Sequence, residues 1–414
     1  MPNYLTLSFP GCACLFWLIV LAGRWRKNSL SQKIFALNML VTATSFYIWN
    51  LYFEGVDNYH LYYRLDAMET FFTLLIHPFV YFFFKSLTNE RALTRTDYLW
   101  LLPALLIGGG TALLYGIMGE ENAGLFVRDM ASNRGKTLAY ADTLFSLQYL
   151  ISVRAYNIVL CLQIVFASVY AVWTLFRYQR KLNEFYSSLE DKSMNTVYAI
   201  LVCYSISLFF SLFMFFTGSK NFLVQYPDYG RFIVILWGGV LNYLGFLVVS
   251  LRYTAEDLAV DLEKADTEAR QNGYALPDPV SVCGKDSSAP CGTLVKRYTD
   301  ARLDERLEEL MDTKKVYLQS ELRLDELARM MQTNRTYISR LINDKYHCSF
   351  SDLVNRKRIE YAKELMQADP QMKQEQISQE AGFLHPATFS RTFKQVEGIT
   401  FREWQKKNTN QARG

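Results

Sequence analysis

Paired cysteines are missing from this sequence. The seven present are Cys12, Cys14, Cys161, Cys203, Cys283, Cys291 and Cys348. Their odd number and the apolar setting of several of them exclude a disulfide framework, and no Cys/His spacing of a zinc site occurs. Cys283 and Cys291 read as incidental residues of a connecting segment. Charge is scarce, at 20% of 414 residues, yet the 50% hydrophobic and 15% aromatic content excludes intrinsic disorder. Collagen-like and mucin-like compositions are excluded as well. There is no paired-aspartate protease signature, no helical His-Glu-x-x-His and no glycine-rich nucleotide loop. The chain is therefore read as a non-enzyme, with no catalytic residue, no metal and no cofactor.

What is present is unevenly distributed. The aromatic and aliphatic residues crowd into the first 250 positions, so a mean hydropathy of +0.01 describes no single stretch. Charge divides the same way. Residues 1–254 hold 19 Lys/Arg against 14 Asp/Glu, residues 255–292 hold 3 against 8, and residues 293–414 hold 22 against 18.

Seven apolar runs fill the first part, at roughly Tyr4–Ala22, Ile34–Phe53, Met68–Phe84, Tyr98–Met118, Ala155–Phe176, Thr196–Thr217 and Phe232–Leu251. Most reach the roughly 20 residues with which a helix crosses about 30 Å of hydrocarbon. Such spans are helical because lipid offers no partner to an open backbone. Pro78, Pro103, Gly108–Gly110 and Gly238–Gly239 interrupt them, as membrane helices tolerate. The sequence thus predicts a seven-transmembrane bundle over residues 1–254. With the N-terminus outside, 12 Lys/Arg fall in internal segments and 7 in external ones, so the positive-inside rule places the C-terminus in the cytoplasm. The basic cluster after the first run, instead of before it, argues against a cleavable signal peptide. The longest loop is expected outside, from Gly119 to about Ser146.

Ionisable groups inside membranes are costly and face the bundle interior or a cavity. Asp66, Glu69, His77, Arg154, Asn157 and Asn242 lie in or beside apolar runs. Glu69, His77 and Arg154 are the candidate sensing residues. Glu69 and His77, eight positions apart, fall near one helical face. The alternative is a helix end near water for Asp66 and Glu69, and a polar contact at a kink for His77-Pro78.

Residues 255–300 form a connector. Leu258, Leu262, Ala265 and Ala269 share one helical face, which fits either pairing with a second copy or a simple solvated helix. The stretch from Asn272 to Cys291, rich in Gly, Pro, Ser and Asp, reads as a flexible linker.

From about Arg302 the pattern turns water-soluble and helical. Leu324, Leu327 and Ala328 are followed by Met331–Asn334 and then by Tyr337, Ile338 and Leu341, a short helix, a tight turn and a second helix opened by an Asn cap. The second helix turns Arg335, Thr336, Ser339 and Arg340 outward. The unit recurs. Ile377, Ala381 and Phe383 precede His385-Pro386, and the helix beginning at Pro386 turns Ala387, Ser390, Arg391 and Lys394 outward while Phe389 and Phe393 face inward. Ile338-Ser339-Arg340-Leu341 and Phe389-Ser390-Arg391-Thr392 occupy equivalent places. Phe350–Met366 reads as a longer amphipathic helix between the units. Arginine beside small hydroxyls suits base edges and phosphates in a major groove, and recognition helices about 34 Å apart would enter successive groove segments.

These residues resemble the AraC/XylS family of bacterial transcription regulators over about residues 315–405. LRLDELARMMQTNRTYISRLIND, SFSDLVNRKRIEYAKELM and AGFLHPATFSRTFKQVEGITFREW carry the likeness. The resemblance implies base contacts from Thr336, Ser339 and Arg340 in the first unit and from Pro386, Ala387, Ser390 and Arg391 in the second. Arg335 and Lys394 are better placed for phosphates. Gln332 and His347 stand where the family often has glycine, Ser378 where it has alanine, and His385 where it has Asp or Ser.

The expected architecture is all-α, a polytopic seven-transmembrane helix bundle (1–254), an acidic helix and linker (255–300) and a cytoplasmic AraC-type double helix-turn-helix domain (301–407). The expected function is that of a multi-pass, inner-membrane one-component regulator of promoter DNA, with the bundle as sensor. Its partners would be double-stranded promoter DNA, the lipid bilayer, RNA polymerase if it activates, and a second copy if the connector pairs. Two alternatives share the DNA domain, a transporter-like or channel-like bundle and a membrane-stored factor released by proteolysis.

Overall fold

The computed structural model describes residues 4–53, 59–88, 93–133, 142–187, 194–217, 227–251, 257–258, 260–264, 267 and 302–411. Among these the backbone is helical, with one isolated antiparallel bridge between Tyr186 and Arg323. The chain divides into two compact units, residues 1–176 with 195–258, and residues 177–194 with 259–414.

The first unit contains α1 (Tyr4–Gly23), α2 (Leu30–Phe53), α3 (Tyr59–Thr88), α4 (Gly109–Asn133), α5 (Thr143–Tyr149), most of α6 (Tyr156–Phe185), α7 (Met194–Thr217) and α8 (Pro227–Val249). Six of the helical stretches are long and apolar enough to cross a membrane, and Ser8–Gly23 is a shorter apolar helix. The helices bury one side and expose the other in reverse of a water-soluble fold. Ile19, Leu106, Phe209 and Phe232 are each about two-thirds exposed or more, whereas Asn38, Thr42, Thr70, His77 and Gln163 are buried.

Close packing in this unit uses glycine where rings intrude. A Cβ at Gly238 would lie 2.3 Å from Phe9, and one at Gly245 would lie 2.3 Å from Trp17. Two glycines one heptad apart thus let α8 approach α1, as small residues do between apolar helices. Side-chain amides complete the joints. Trp17 Nε1 donates to Asn242 Oδ1 at 2.8 Å, and Gln32 Nε2 donates to the Val248 carbonyl at 3.1 Å.

The expected outer loop from Gly119 to Ser146 is in part helix. Gly119 (φ 77°) breaks α4, and the chain resumes as a helix to Asn133 because Ala123, Phe126 and Val127 recur at helical spacing and are buried. Two π-helical turns interrupt the bundle, at Ala104–Gly108 and Leu150–Ala155.

The connector lies mostly outside the described residues, Ala265, Ala269, Cys283 and Cys291 included. The parts that are described, 257–258, 260–264 and 267, are helical.

The second unit is a helical domain of two repeated halves. Helical residues 302–308 lead to α9 (Leu324–Met330), α10 (Arg335–Tyr346), α11 (Phe350–Ala368), α12 (Gln374–Glu380), α13 (Pro386–Glu397) and α14 (Phe401–Gln411). Helix starts are capped as the sequence dictates. Asn334 Oδ1 accepts from the Tyr337 amide at 2.9 Å, and Ser349 and Asp352 form a reciprocal capping box. Around Phe389 the rings of Phe383, Phe393 and Phe401 gather at 5.1–5.7 Å, with Ile359, Ala362, Met366, Ile377 and Ala381 completing the core.

The halves share a hydrogen-bonded turn fifty positions apart. Met331, Gln332 and Thr333 donate to the carbonyls of Leu327, Arg329 and Ala328; Ala381, Gly382 and Phe383 donate to those of Ile377, Gln379 and Ser378. Gln332 (φ 55°) and Gly382 (φ 81°) hold the same left-handed position, as do His347 (φ 50°) and Gly398 (φ 74°) at the ends of α10 and α13. The second turn is longer by Leu384, so the recognition helices are offset by one further residue.

Gln332→Gly is expected to stabilise the first half by about 1 kcal/mol, because a left-handed side chain costs about that much. Gly382→Ala is expected to destabilise the second half by about 2 kcal/mol or more, since its Cβ would also meet the Leu318 carbonyl at 2.5 Å. Amide hydrogen exchange of α10 and α13 in the intact protein reads both effects.

Arg358 of α11 is the largest fully buried side chain. Its Nε donates to the Tyr317 carbonyl at 2.7 Å, and Nη2 donates to those of Gln319 and Ser320 at 2.6 and 3.2 Å. The guanidinium also lies 5.5 Å from the Phe383 ring centre. Arg358→Met is expected to cost the second unit about 3 kcal/mol, since three carbonyls, that of the buried Tyr317 among them, lose their donor. Denaturant-dependent hydrogen exchange of the Phe389 region measures it.

Candidate nucleic-acid interface

The predicted base-reading residues sit on α10 and α13, each the second helix of its half. Burial of Ile338 and Ile342 on α10, and of Phe389 and Phe393 on α13, sets the rotation of each helix. Thr336 and Arg340 are consequently exposed on α10, with Arg335 and Ser339 half-buried. On α13, Ala387, Arg391 and Lys394 are exposed, while Pro386 and Ser390 are half-buried. Arg340 and Arg391, equivalent in sequence, are also equivalent in place.

Arg340 and Ser390 show how such side chains are already engaged. Arg340 Nε lies 3.8 Å from Asp344 Oδ2, one turn along, with both groups mostly in solvent. A pair so exposed is weak and easily exchanged for a phosphate or a base. Ser390 Oγ donates to the Pro386 carbonyl at 3.0 Å and accepts from Gln374 Nε2 at 2.6 Å. Its hydroxyl proton is therefore committed, and Gln374 of α12 positions it. Sequence reasoning missed Gln374, because the contact joins two helices and no spacing rule reports it. His385 opens α13 without a side-chain cap, and Pro386 occupies the first turn, where no amide is needed.

At the base of the first half, Asp325 lies 3.6 Å from both Arg323 and Arg329. Burial nevertheless lifts its carboxyl above the ordinary value, and the two arginines only partly offset that loss of solvation. Asp325 and its arginines brace α9, the helix against which α10 packs.

The candidate sensing residues are not brought together as one set. Glu69 lies half-buried on α3, and the ring of Tyr156, which meets Thr73, lies within its electrostatic reach. His77, one turn beyond Thr73 on the same helix, is buried, and its Nδ1 meets no hydrogen-bond partner among the described residues. Arg154 lies in the second π-helical turn with its guanidinium 5.7 Å from the Tyr149 ring centre. The structure adds groups around Glu69 that the sequence reading left aside. Tyr115 donates to Asp66 Oδ2 at 2.9 Å and lies beside Gln148. Gln148 and Thr111 are fully buried. Tyr115 also belongs to the apolar cluster around Phe126, so its bond to Asp66 brings polar groups against that cluster. Asn242, by contrast, is a packing residue that accepts from Trp17.

A family model described as a helix-turn-helix domain matches residues 327–407. An uncharacterized HTH-type transcriptional regulator, YtdP of Bacillus subtilis (strain 168), is 35% identical over 82 residues, which is 20% of this chain and 10% of that protein. The chain thus spans about a tenth of the length of the curated relative it matches. No solved structure matches. The C-terminal part of this chain is an AraC-type helix-turn-helix domain, joined to a helical region with the character of a membrane domain.

Proposed function

We propose that this protein is a membrane-embedded, one-component transcription regulator that binds promoter DNA sequence-specifically through both helix-turn-helix halves. The observation that carries the reading is the repeat itself. Exposed Arg340 and Arg391 occupy equivalent places on two recognition helices, in a chain whose described residues also include six helices long and apolar enough to cross a membrane. In this reading Thr336, Ser339 and Arg340, with Pro386, Ala387 and Arg391, meet base edges. Arg335 and Lys394 hold phosphates, and Ser390 acts from its bond to Gln374. Arginine pairs bidentately with guanine, and each such contact contributes about 1–3 kcal/mol of discrimination.

The bundle is the sensor and lies in the inner membrane with the N-terminus outside and the DNA-binding domain in the cytoplasm. The polar groups of the bundle, Glu69, His77 and Arg154 among them, are the part suited to receive a signal, since polar groups in such a setting answer to a ligand or a proton. RNA polymerase is a partner if the protein activates transcription, and a second copy raises affinity if two chains pair. No cofactor enters this reading.

Replacing Arg340 and Arg391 together with Ala is expected to abolish selection of any DNA sequence from a random pool by the intact protein, with folding checked by hydrogen exchange. Undiminished selectivity in that double variant overturns the assignment. Asp344→Asn is expected to raise affinity about three- to tenfold, by releasing Arg340 and removing a like charge from the phosphates. Anisotropy titrations across a range of salt concentrations measure the change.

A further inference from the structure

The helix α6 does not end with its apolar run. It continues to Phe185, and from Arg177 onward its residues belong to the second compact unit. A segment joining two membrane helices is by default a solvated loop. Here Tyr186 is 5% exposed and Ser187 is 1% exposed.

Both backbone groups of Ser187 are used. Its amide donates to the Leu322 carbonyl at 3.2 Å, beside the bridge that pairs Tyr186 with Arg323. Its carbonyl accepts from Ser351 Oγ at 3.2 Å, and Asn355 Nδ2 in turn donates to that hydroxyl at 3.3 Å. The Tyr186 hydroxyl donates to Asp261 Oδ2 at 2.5 Å. Asp261 also acts electrostatically on Arg323.

These contacts fall on particular places. Arg323 is the residue that opens α9, where Glu326 accepts its amide at 3.1 Å. Ser351 is the second residue of α11. The dipeptide therefore joins the starts of the two helices that flank α10, while Thr336 and Arg340 on α10 stay exposed. It grips the frame of the first half without covering the DNA-reading surface. A contact placed so can alter how α10 is presented, and it need not compete with DNA. An element with two arrangements, each favouring a different DNA affinity, is what coupling between sites requires.

We propose that Tyr186-Ser187 is a coupling clip, through which the end of α6 sets the DNA affinity of the first helix-turn-helix half. The inference rests on the regulator reading above and names its route of regulation. It is an interaction of this chain with itself, with Ser187 supplying the backbone edge and Leu322, Arg323 and Ser351 supplying the receiving surface.

The test uses the full chain in nanodiscs, with Cys348→Ser as background to remove the thiol three residues before Ser351 and a protease site inserted between Asn272 and Cys291. The S187C/S351C pair is treated with a short, reducible thiol cross-linker and then cut. Expected is a product that stays joined on a non-reducing gel and separates on reduction, with neither single variant giving it. DNA enriched from a random pool by the same intact chain is then titrated. Cross-linked protein is expected to differ from its reduced form at least fivefold in Kd, and return to the starting Kd on reduction shows that the fold is intact. Ser351→Ala, which removes one strand of the clip, is expected to shift the Kd in the opposite direction.

No joined product overturns the docking, and equal Kd values with and without the cross-link overturn the coupling. A chain that enriches no DNA sequence overturns the regulator reading and this route of regulation with it. The cross-link yield separates that failure from failure of the docking itself.

Discussion

The second unit depends on one buried cation. Arg358 gives its guanidinium hydrogens to the carbonyls of Tyr317, Gln319 and Ser320 and lies against the ring of Phe383. A buried charge is tolerated only where hydrogen bonds replace its water, and here the replacements come from backbone that leads into α9. The ring comes from the turn that leads into α13. One side chain of the connecting helix therefore ties both halves to a common frame, and the angle between the recognition helices is referred to it. Close contact completes the joint, because Gly382 leaves no room for a Cβ against Leu318.

The first unit has the character of a fold built for a different solvent. Its exposed surface is apolar, and its polar side chains turn inward to bond one another, as in the Tyr115–Asp66 and Ser45–Thr73 pairs. In water that arrangement would be unstable, since apolar exposure is costly. In lipid it is the expected one, because buried polar groups must find partners within the bundle. The same physics that makes the helices long and featureless outside makes the inner layer chemically distinctive.

Much of this organisation was legible along the chain. Apolar run length located the helices of the first unit. Local rules located α9 to α13: an Asn cap at 334, a proline at 386, and buried Ile338 and Phe389 at equivalent positions. The glycine substitutes Gln332 and His347 also carried information, since both occupy left-handed backbone where the second half has Gly382 and Gly398. Less was legible wherever partners are distant in sequence. Arg358 reads as one more surface charge on an amphipathic helix, and Gln374 has no signature that ties it to Ser390. The stretch after Gly119 reads as a loop because its charges mask a short helical period.

The sequence by itself determined the apolar runs of the first unit, the helix caps of the second, which faces are apolar, and that two similar helix-turn-helix units follow a lipid-like region. Those properties depend on residues within one or two turns of each other, where spacing and capping act. Only the tertiary structure decided that α6 carries Tyr186 and Ser187 into the DNA-binding unit, that Tyr115 meets both Asp66 and Gln148, and that Arg358 joins the two halves. Each of those depends on which backbone carbonyls and rings the fold brings within hydrogen-bonding reach. That choice is made by packing across the whole unit, and no local spacing records it.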